Sequence, residues 1–281
     1  MSSYFPIPND LQICTRNDLS IESSITVFNY PNNSLLRNIN KKRDKIYYYV
    51  YFLNNNKWVK CYQKECVYGN YLEIRRSELN IPKEMFAVAI PSFNKNQQDE
   101  LDILFKPSST KNDMCPVAER ASYNFYIDNS ITSFQGEYPY ELALDKRYSF
   151  FSFDSLRLDR NVNSKTFLIL INLNKDPRKK DFHKVYFYKS SNKSLLKEII
   201  VKSNSIKNIC ISDICEHNNS IIDPTFITCS STTFIPIYLT IQDDNSNYQI
   251  SVEHTHPPAE MFWGETKYKS LKKLKSNWIL K

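Results

Sequence analysis

The segment Val50-Tyr51-Phe52 returns 135 residues later as Val185-Tyr186-Phe187. Each copy runs into a polar turn, Asn54-Asn55-Asn56-Lys57 in one and Ser190-Ser191-Asn192-Lys193 in the other. Ser77-Glu78-Leu79 and Ser212-Asp213-Ile214 keep the same offset, while Phe134-Gln135-Gly136-Glu137 matches Phe262-Trp263-Gly264-Glu265 at 128, as Tyr140 matches Tyr268. Matches in one order at nearly constant spacing are the mark of a duplicated structural unit. Such a chain is expected to fold into two bodies of one kind, and 281 residues suit two domains of ordinary size. The change of offset places an insertion in the first copy, at the polar stretch 94–113 with its Pro107 and Ser108-Ser109-Thr110.

Short apolar and aromatic runs lie between these markers, at 47–53, 167–173, 195–201, 206–211, 226–229, 234–241 and 248–252. Turn residues separate them, the spacing that a sandwich or barrel needs. Tyr and Phe are abundant, 19 and 17 of them, and suit a pleated, half-buried surface. No strand–helix–strand alternation appears, against a doubly wound sheet. The expected fold is all-β: two tandem related antiparallel β-sandwich domains, residues 1–144 and 145–281, the second closing on a short amphipathic helix. The linker falls near 144–159, and Arg147-Tyr148-Ser149-Phe150-Phe151 opens a strand of the second domain.

Only three glycines occur, Gly69, Gly136 and Gly264. A phosphate-cradling P-loop and a dinucleotide fingerprint each need several close together, so both are excluded. Asparagine tolerates left-handed backbone, which predicts turns at Asn54-Asn55-Asn56 and Asp243-Asp244-Asn245. The net charge of +7 is concentrated: Lys267, Lys269, Lys272, Lys273, Lys275 and Lys281 supply six, leaving +1 for the rest. A nearly neutral body makes nucleic acid an unexpected partner. Tyr268, Leu271, Leu274 and Trp278 share one face of a helix over 267–281. That helix is expected to pack on the second sandwich, with peripheral contact to an anionic membrane surface as the alternative.

Seven cysteines, an N-terminus without a leader-like apolar stretch, and no apolar run near the roughly 20 residues that span a bilayer predict a reduced cytoplasmic protein. The pairs Cys61-x4-Cys66 and Cys210-x4-Cys215 are spaced more widely than usual zinc ligands, and buried thiols are expected there.

The densest polar cluster is Glu253-His254-Thr255-His256-Pro257-Pro258-Ala259-Glu260. On a strand, His254 and His256 point the same way, because side chains alternate. Their His-x-His-x3-Glu pattern resembles the first metal motif of the cupins. That resemblance implies a divalent transition metal held by His254, His256 and Glu260, and metal-assisted oxygen or hydrolytic chemistry. The pattern departs from the family at Tyr248, where a glycine would precede the histidines, and at Gly264, which follows Glu260 too closely. No further histidine motif follows.

A second resemblance rests on Val185-Tyr186-Phe187-Tyr188, Ile199-Ile200-Val201, Ile209-Cys210-Ile211-Ser212-Asp213-Ile214 and Ile250-Ser251-Val252-Glu253-His254-Thr255. These segments resemble the sensory rhodopsin transducer family, which implies a small β-sandwich that assembles and binds partners without catalysis. The stretch from Val252 to Pro258 is also similar to proteins associated with bacterial surface-glycan synthesis.

Glu119-Arg120, beside Tyr123, Phe125 and Tyr126, offers charge and aromatic surface to a sugar. In the Phe-x-Gly-Glu motif the glycine is expected to permit a turn that a side chain would block; paired carboxylates from Glu137 and Glu265 are the alternative. No nucleophile-elbow pattern accompanies the serines. The expectation is a non-catalytic binding or assembly protein, needing no cofactor, that meets a protein partner, its own copies or a glycoconjugate. Its candidate binding residues are Glu253, His254, His256, Glu260, Glu119 and Arg120; the metal enzyme is the alternative.

Overall fold

A computed structural model describes residues 2–12, 20–29, 45–108, 120–144, 150–153, 164–189, 191–214, 225–232, 234–243 and 247–254. These residues form an all-β protein of four antiparallel sheets and no α-helix. Eleven strands precede residue 144: β1 (Ser3–Ile7), β2 (Leu11–Gln12), β3 (Ser20–Phe28), β4 (Lys45–Asn54), β5 (Lys57–Val67), β6 (Tyr71–Arg75), β7 (Ala87–Ser92), β8 (Glu100–Leu101), β9 (Ala121–Ile127), β10 (Ser130–Gly136) and β11 (Tyr138–Pro139). Eight follow it: β12 (Phe150–Phe153), β13 (Ser164–Asn172), β14 (Phe182–Lys189), β15 (Leu195–Lys202), β16 (Ser205–Cys210), β17 (Thr225–Cys229), β18 (Ile235–Asp243) and β19 (Tyr248–His254). All seven apolar runs read from the sequence are strands, and β12 begins inside the 147–151 stretch.

Turns without glycine join them. Asn55 and Asn56 close the β4–β5 hairpin at φ of 45° and 63°. Asp128 serves β9–β10, Lys193 β14–β15 and Asn204 β15–β16, all in the left-handed region, where Gly69 is the one described glycine. At Asn55, Asn56, Asp128 and Asn204 a short polar side chain can take this backbone because it hydrogen-bonds locally.

The sheets run β11-β1-β7-β4-β5-β8, β10-β9-β3-β2 with β6 also on β3, β12-β17-β14-β15, and β16-β13-β18-β19. The order β1-β7-β4-β5 thus has the connectivity of β12-β17-β14-β15, and β6-β3-β9-β10 that of β16-β13-β18-β19. The corners after β6 and β16 also agree. Leu79 N donates to Arg76 O at 3.1 Å, as Ile214 N does to Ile211 O at 2.9 Å. Ser77 Oγ donates to Glu22 on β3, and Ser212 Oγ accepts from Thr166 N on β13 at 3.0 Å.

Every ladder between described strands stays on one side of residue 144, but the core crosses it. Along β13 the side chains alternate between two interiors. Leu168 and Leu170 pack with Val185, Phe187, Ile227 and Tyr238. Phe167, Ile169 and Ile171, with Ile235, Ile237, Leu239 and Ile241 of β18, belong to one cluster with Tyr49, Trp58, Phe125 and Tyr138. Polar bonds reinforce the junction: Trp58 Nε1 donates to Lys175 O at 3.0 Å, and Tyr138 OH both donates to Leu173 O and accepts from Leu173 N at 3.0 Å.

The insertion, described as far as Ser108, lies against the face of the six-stranded sheet that carries Tyr49 and Tyr51, whose rings meet Phe105 edge-on. Tyr49 OH donates to Asn94 O at 2.8 Å, Tyr51 OH to Gln98 O at 2.8 Å, and Tyr4 OH to Phe105 O at 2.9 Å. The helix expected over 267–281 and the 262–265 motif lie outside the described residues. Among those that are described, no helix is long and apolar enough to cross a membrane.

Ile237 is fully buried in the shared cluster. Replacing it by Ala removes packing on a face that both halves use, at about 2–5 kcal/mol for such a truncation. Thermal unfolding of Ile237→Ala is expected to show one transition at lower temperature, reported alike by tryptophan fluorescence and far-ultraviolet circular dichroism. Two separated transitions would refute the common core.

Candidate functional site

The outward side of β6-β3-β9-β10 carries a polar network built by strand alternation. Tyr71, Glu73 and Arg75 share a face of β6, and their register partners Phe28, Thr26 and Ser24 share that face of β3. Tyr126, Asn124 and Ser122 continue it on β9, opposite Glu22, Ser24 and Thr26. Ile131, Ser133 and Gln135 complete it on β10. Alternate residues of the same strands, Ile25, Val27, Ile74, Tyr123 and Phe125, are buried in the core.

Glu73 is the hub. Its Oε1 accepts from Ser24 Oγ at 2.7 Å and from Tyr126 OH at 2.6 Å, and its Oε2 lies 3.5 Å from Arg75 Nη2. Asn124 Nδ2 donates to Ser24 Oγ and Thr26 Oγ1, both at 2.9 Å, while Ser122 Oγ donates to Asn124 Oδ1 at 3.0 Å. Arg75 stands over the Tyr126 ring, 5.1 Å from its centroid, and reaches Glu22 at 3.8 Å. Desolvation pushes the Glu73 carboxyl up, but the hydroxyl donors and the Arg75 charge outweigh it and hold the pKa below the ordinary carboxylate value. Burial, then the bond to Glu73, raises the Tyr126 phenol.

A general acid at neutral pH needs the opposite shift, so Glu73 is an anchor for donors rather than a proton source. Around this ionised centre stand Tyr71, which is 67% exposed, and the exposed Phe28 and Ile131. Polar groups stand at the middle of this face and apolar surface at its rim.

The residues singled out in the sequence fall elsewhere. Arg120 Nε pairs with Glu137 Oε2 at 3.1 Å, and Glu137 is buried. Tyr123 and Phe125 face the core and Tyr126 faces outward, so the three aromatics beside Arg120 form no common surface. Burial and the Glu137 charge push the Tyr123 phenol up. Glu253 is exposed on β19 opposite Tyr238, and the His254 backbone pairs with Ile237. Glu119, His256, Glu260 and Glu265, and with them the metal triad, lie outside the described residues. Among the described residues no group of three or more His, Cys, Asp or Glu side chains could hold a metal. Cys61, Cys66, Cys210 and Cys229 are free thiols, and burial pushes Cys61 up to about 11.

The Phe-x-Gly-Glu motif needs its glycine for a reason other than a turn. Gly136 ends β10, and a Cβ there would meet Phe134 Cε2 at 2.7 Å and Tyr123 Cε2 at 3.1 Å. Those two rings stack with centroids 5.1 Å apart, and the glycine makes room for the stack.

Sequence reasoning missed Glu73, Ser24 and Asn124, whose only local trace is polar alternation such as Glu22-x-Ser24-x-Thr26, and named Tyr126 only as a neighbour of Arg120. It also missed His183, whose Nδ1 lies 2.9 Å from Ser231 Oγ and Nε2 3.2 Å from Ser203 Oγ. Burial lowers the His183 pKa, despite the opposing charge of Asp181, and both ring nitrogens are engaged.

Two outcomes are expected. Gly136→Ala should lower stability by about 1–3 kcal/mol, as overpacking does, a loss read as a lower denaturant midpoint; an unchanged midpoint would show that the ring stack yields freely. For Glu73, the folded pKa lies below the unfolded one, so its contribution is present above the unfolded value and lost as pH falls through the folded one. Stability curves from pH 7 to 2 should therefore fall less steeply on the acid side in Glu73→Gln than in the parent chain.

Compared with known proteins, the chain matches no family model, and no curated protein is similar enough to count as a relative.

Proposed function

We propose that this chain is a non-catalytic binding protein, built from two tandem related sandwich domains, that takes a glycoconjugate on the β6-β3-β9-β10 face. The observation carrying this reading is the ionised Glu73 held among Ser24, Tyr126, Asn124 and Arg75, with exposed Tyr71 beside it. Carboxylate, amide and hydroxyl groups fixed on rigid strands bind sugar hydroxyls with little ordering cost. The agreement of the two pairs of strand orders supports duplication of one sandwich unit. The bacterial surface-glycan resemblance gives the class of saccharide to test first, and the four free thiols fit a reducing, cytoplasmic setting.

Glycan-array binding by the full chain, followed by calorimetry on the best hits, tests the reading. Tyr71→Ala and Glu73→Gln are each expected to weaken binding by about tenfold, the weight of one stacking or charge-assisted contact. A folded chain that binds no saccharide on the array would overturn it, as would binding indifferent to both substitutions.

A further inference from the structure

The chain displays, beside β5, how a free strand edge of this sheet type is covered. Residues 93–108 bring β8 antiparallel to β5, pairing Leu101 with Trp58 and Glu100 with Val59, and Lys60 N donates to Asp99 O at 2.7 Å. Charge fixes the segment there: Lys57 Nζ lies 2.8 Å from Glu100, and Lys60 Nζ 2.6 Å from Asp99. The same segment offers its carbonyl oxygens to the hydroxyls of Tyr49 and Tyr51 on the face of the sheet.

The sheet β12-β17-β14-β15 has the same connectivity but, among the described residues, no such cover. The link from β17 to β18 spans only residues 230–234, where the first half has the whole insertion. Strand β15 ends the sheet, and no described strand pairs with its outer side. Leu195 and Ile200 on it are each 53% exposed, and Phe182 on β14 is 63% exposed. Tyr186, which matches Tyr51 in the repeat, stands beside Tyr188 on the outward face, their centroids 6.3 Å apart. Residues 182–202 contain five lysines, Lys184, Lys189, Lys193, Lys197 and Lys202, against the single acid Glu198, which is ion-paired with Lys184 at 2.9 Å, so a net positive charge stays on this sheet. An edge strand presents a row of backbone donors and acceptors that an extended peptide can pair with.

We propose that β15 is a docking edge for an extended acidic polypeptide segment of another molecule, which adds antiparallel to β15 and crosses the Tyr186–Tyr188 surface. Its chemistry is that of Asp99-Glu100-Leu101-Asp102: carboxylates toward the lysines, and an apolar residue between them toward the exposed aliphatic side chains. The C-terminal stretch of this chain, with six lysines and no acid between 267 and 281, has the wrong charge for that place. The site is in the other half of the chain from the Glu73 face and stands independently of the glycan reading.

The probe is a fluorescent peptide of the sequence of residues 96–105, added to the full chain and followed by anisotropy and by amide hydrogen exchange. Saturable binding is expected, with exchange slowed in 195–202. Binding should weaken by about tenfold when the peptide's three acids become lysines, or in the chain variant Lys193→Glu/Lys197→Glu. A peptide N-methylated along its backbone should not bind. The proposal is overturned by absence of binding, by protection confined to 57–61, where the peptide would merely exchange with β8, by indifference to N-methylation, or by 195–202 being fully protected before peptide is added.

Discussion

A sheet buried on both faces governs this architecture. Strand β13 sends Leu168 and Leu170 into one interior and Phe167, Ile169 and Ile171 into another, and β18 does the same with Tyr238 against Ile237 and Leu239. Each such side chain stabilises by about 1.5–3 kcal/mol when fully buried, and none of the outward set could face water without losing that. The two halves therefore share one interior. The second half's apolar sheet is part of the first half's interior, and the bonds of Trp58 and Tyr138 to the backbone at Lys175 and Leu173 fix the meeting.

This arrangement leaves two sheets of matching strand order with different fates. The face of β16-β13-β18-β19 that carries Phe167, Ile169 and Ile237 is apolar and covered, while the face of β6-β3-β9-β10 that carries Glu73 is polar, with Ser24 and Asn124 buried beneath the partly exposed Glu73 and Arg75. Ser24, Thr26, Glu73, Asn124 and Tyr126 hold one another in place by hydrogen bonds, so this face has a defined geometry. An ionised carboxylate with its donors already arranged suits recognition, since it neither gives up a proton at neutral pH nor needs to reorganise on binding.

The strands were legible because their signal is local. The runs at 47–53, 167–173 and 234–241 are apolar and end at turn residues, and asparagines mark the left-handed positions that glycine usually fills. The unbroken apolar run 167–171 also signals a strand buried on both sides, as alternation would not. The polar face was not legible, because Ser24, Glu73 and Tyr126 are 49 to 102 residues apart and meet only through strand order. Gly136 was legible as a special position, but its reason, the Tyr123–Phe134 stack, depends on a partner strand that no spacing rule reveals.

The crossing of the core over residue 144 bears on how the chain is made. Synthesis delivers the N-terminal strands to solvent while β13 and β18 are still inside the ribosome, so their apolar partners wait uncovered until residue 243 has emerged. During that interval the nascent protein displays a sticky surface that the finished one conceals. Slower translation through residues 144–243 lengthens that interval, and a chaperone holding the N-terminal strands would cover the surface while it lasts.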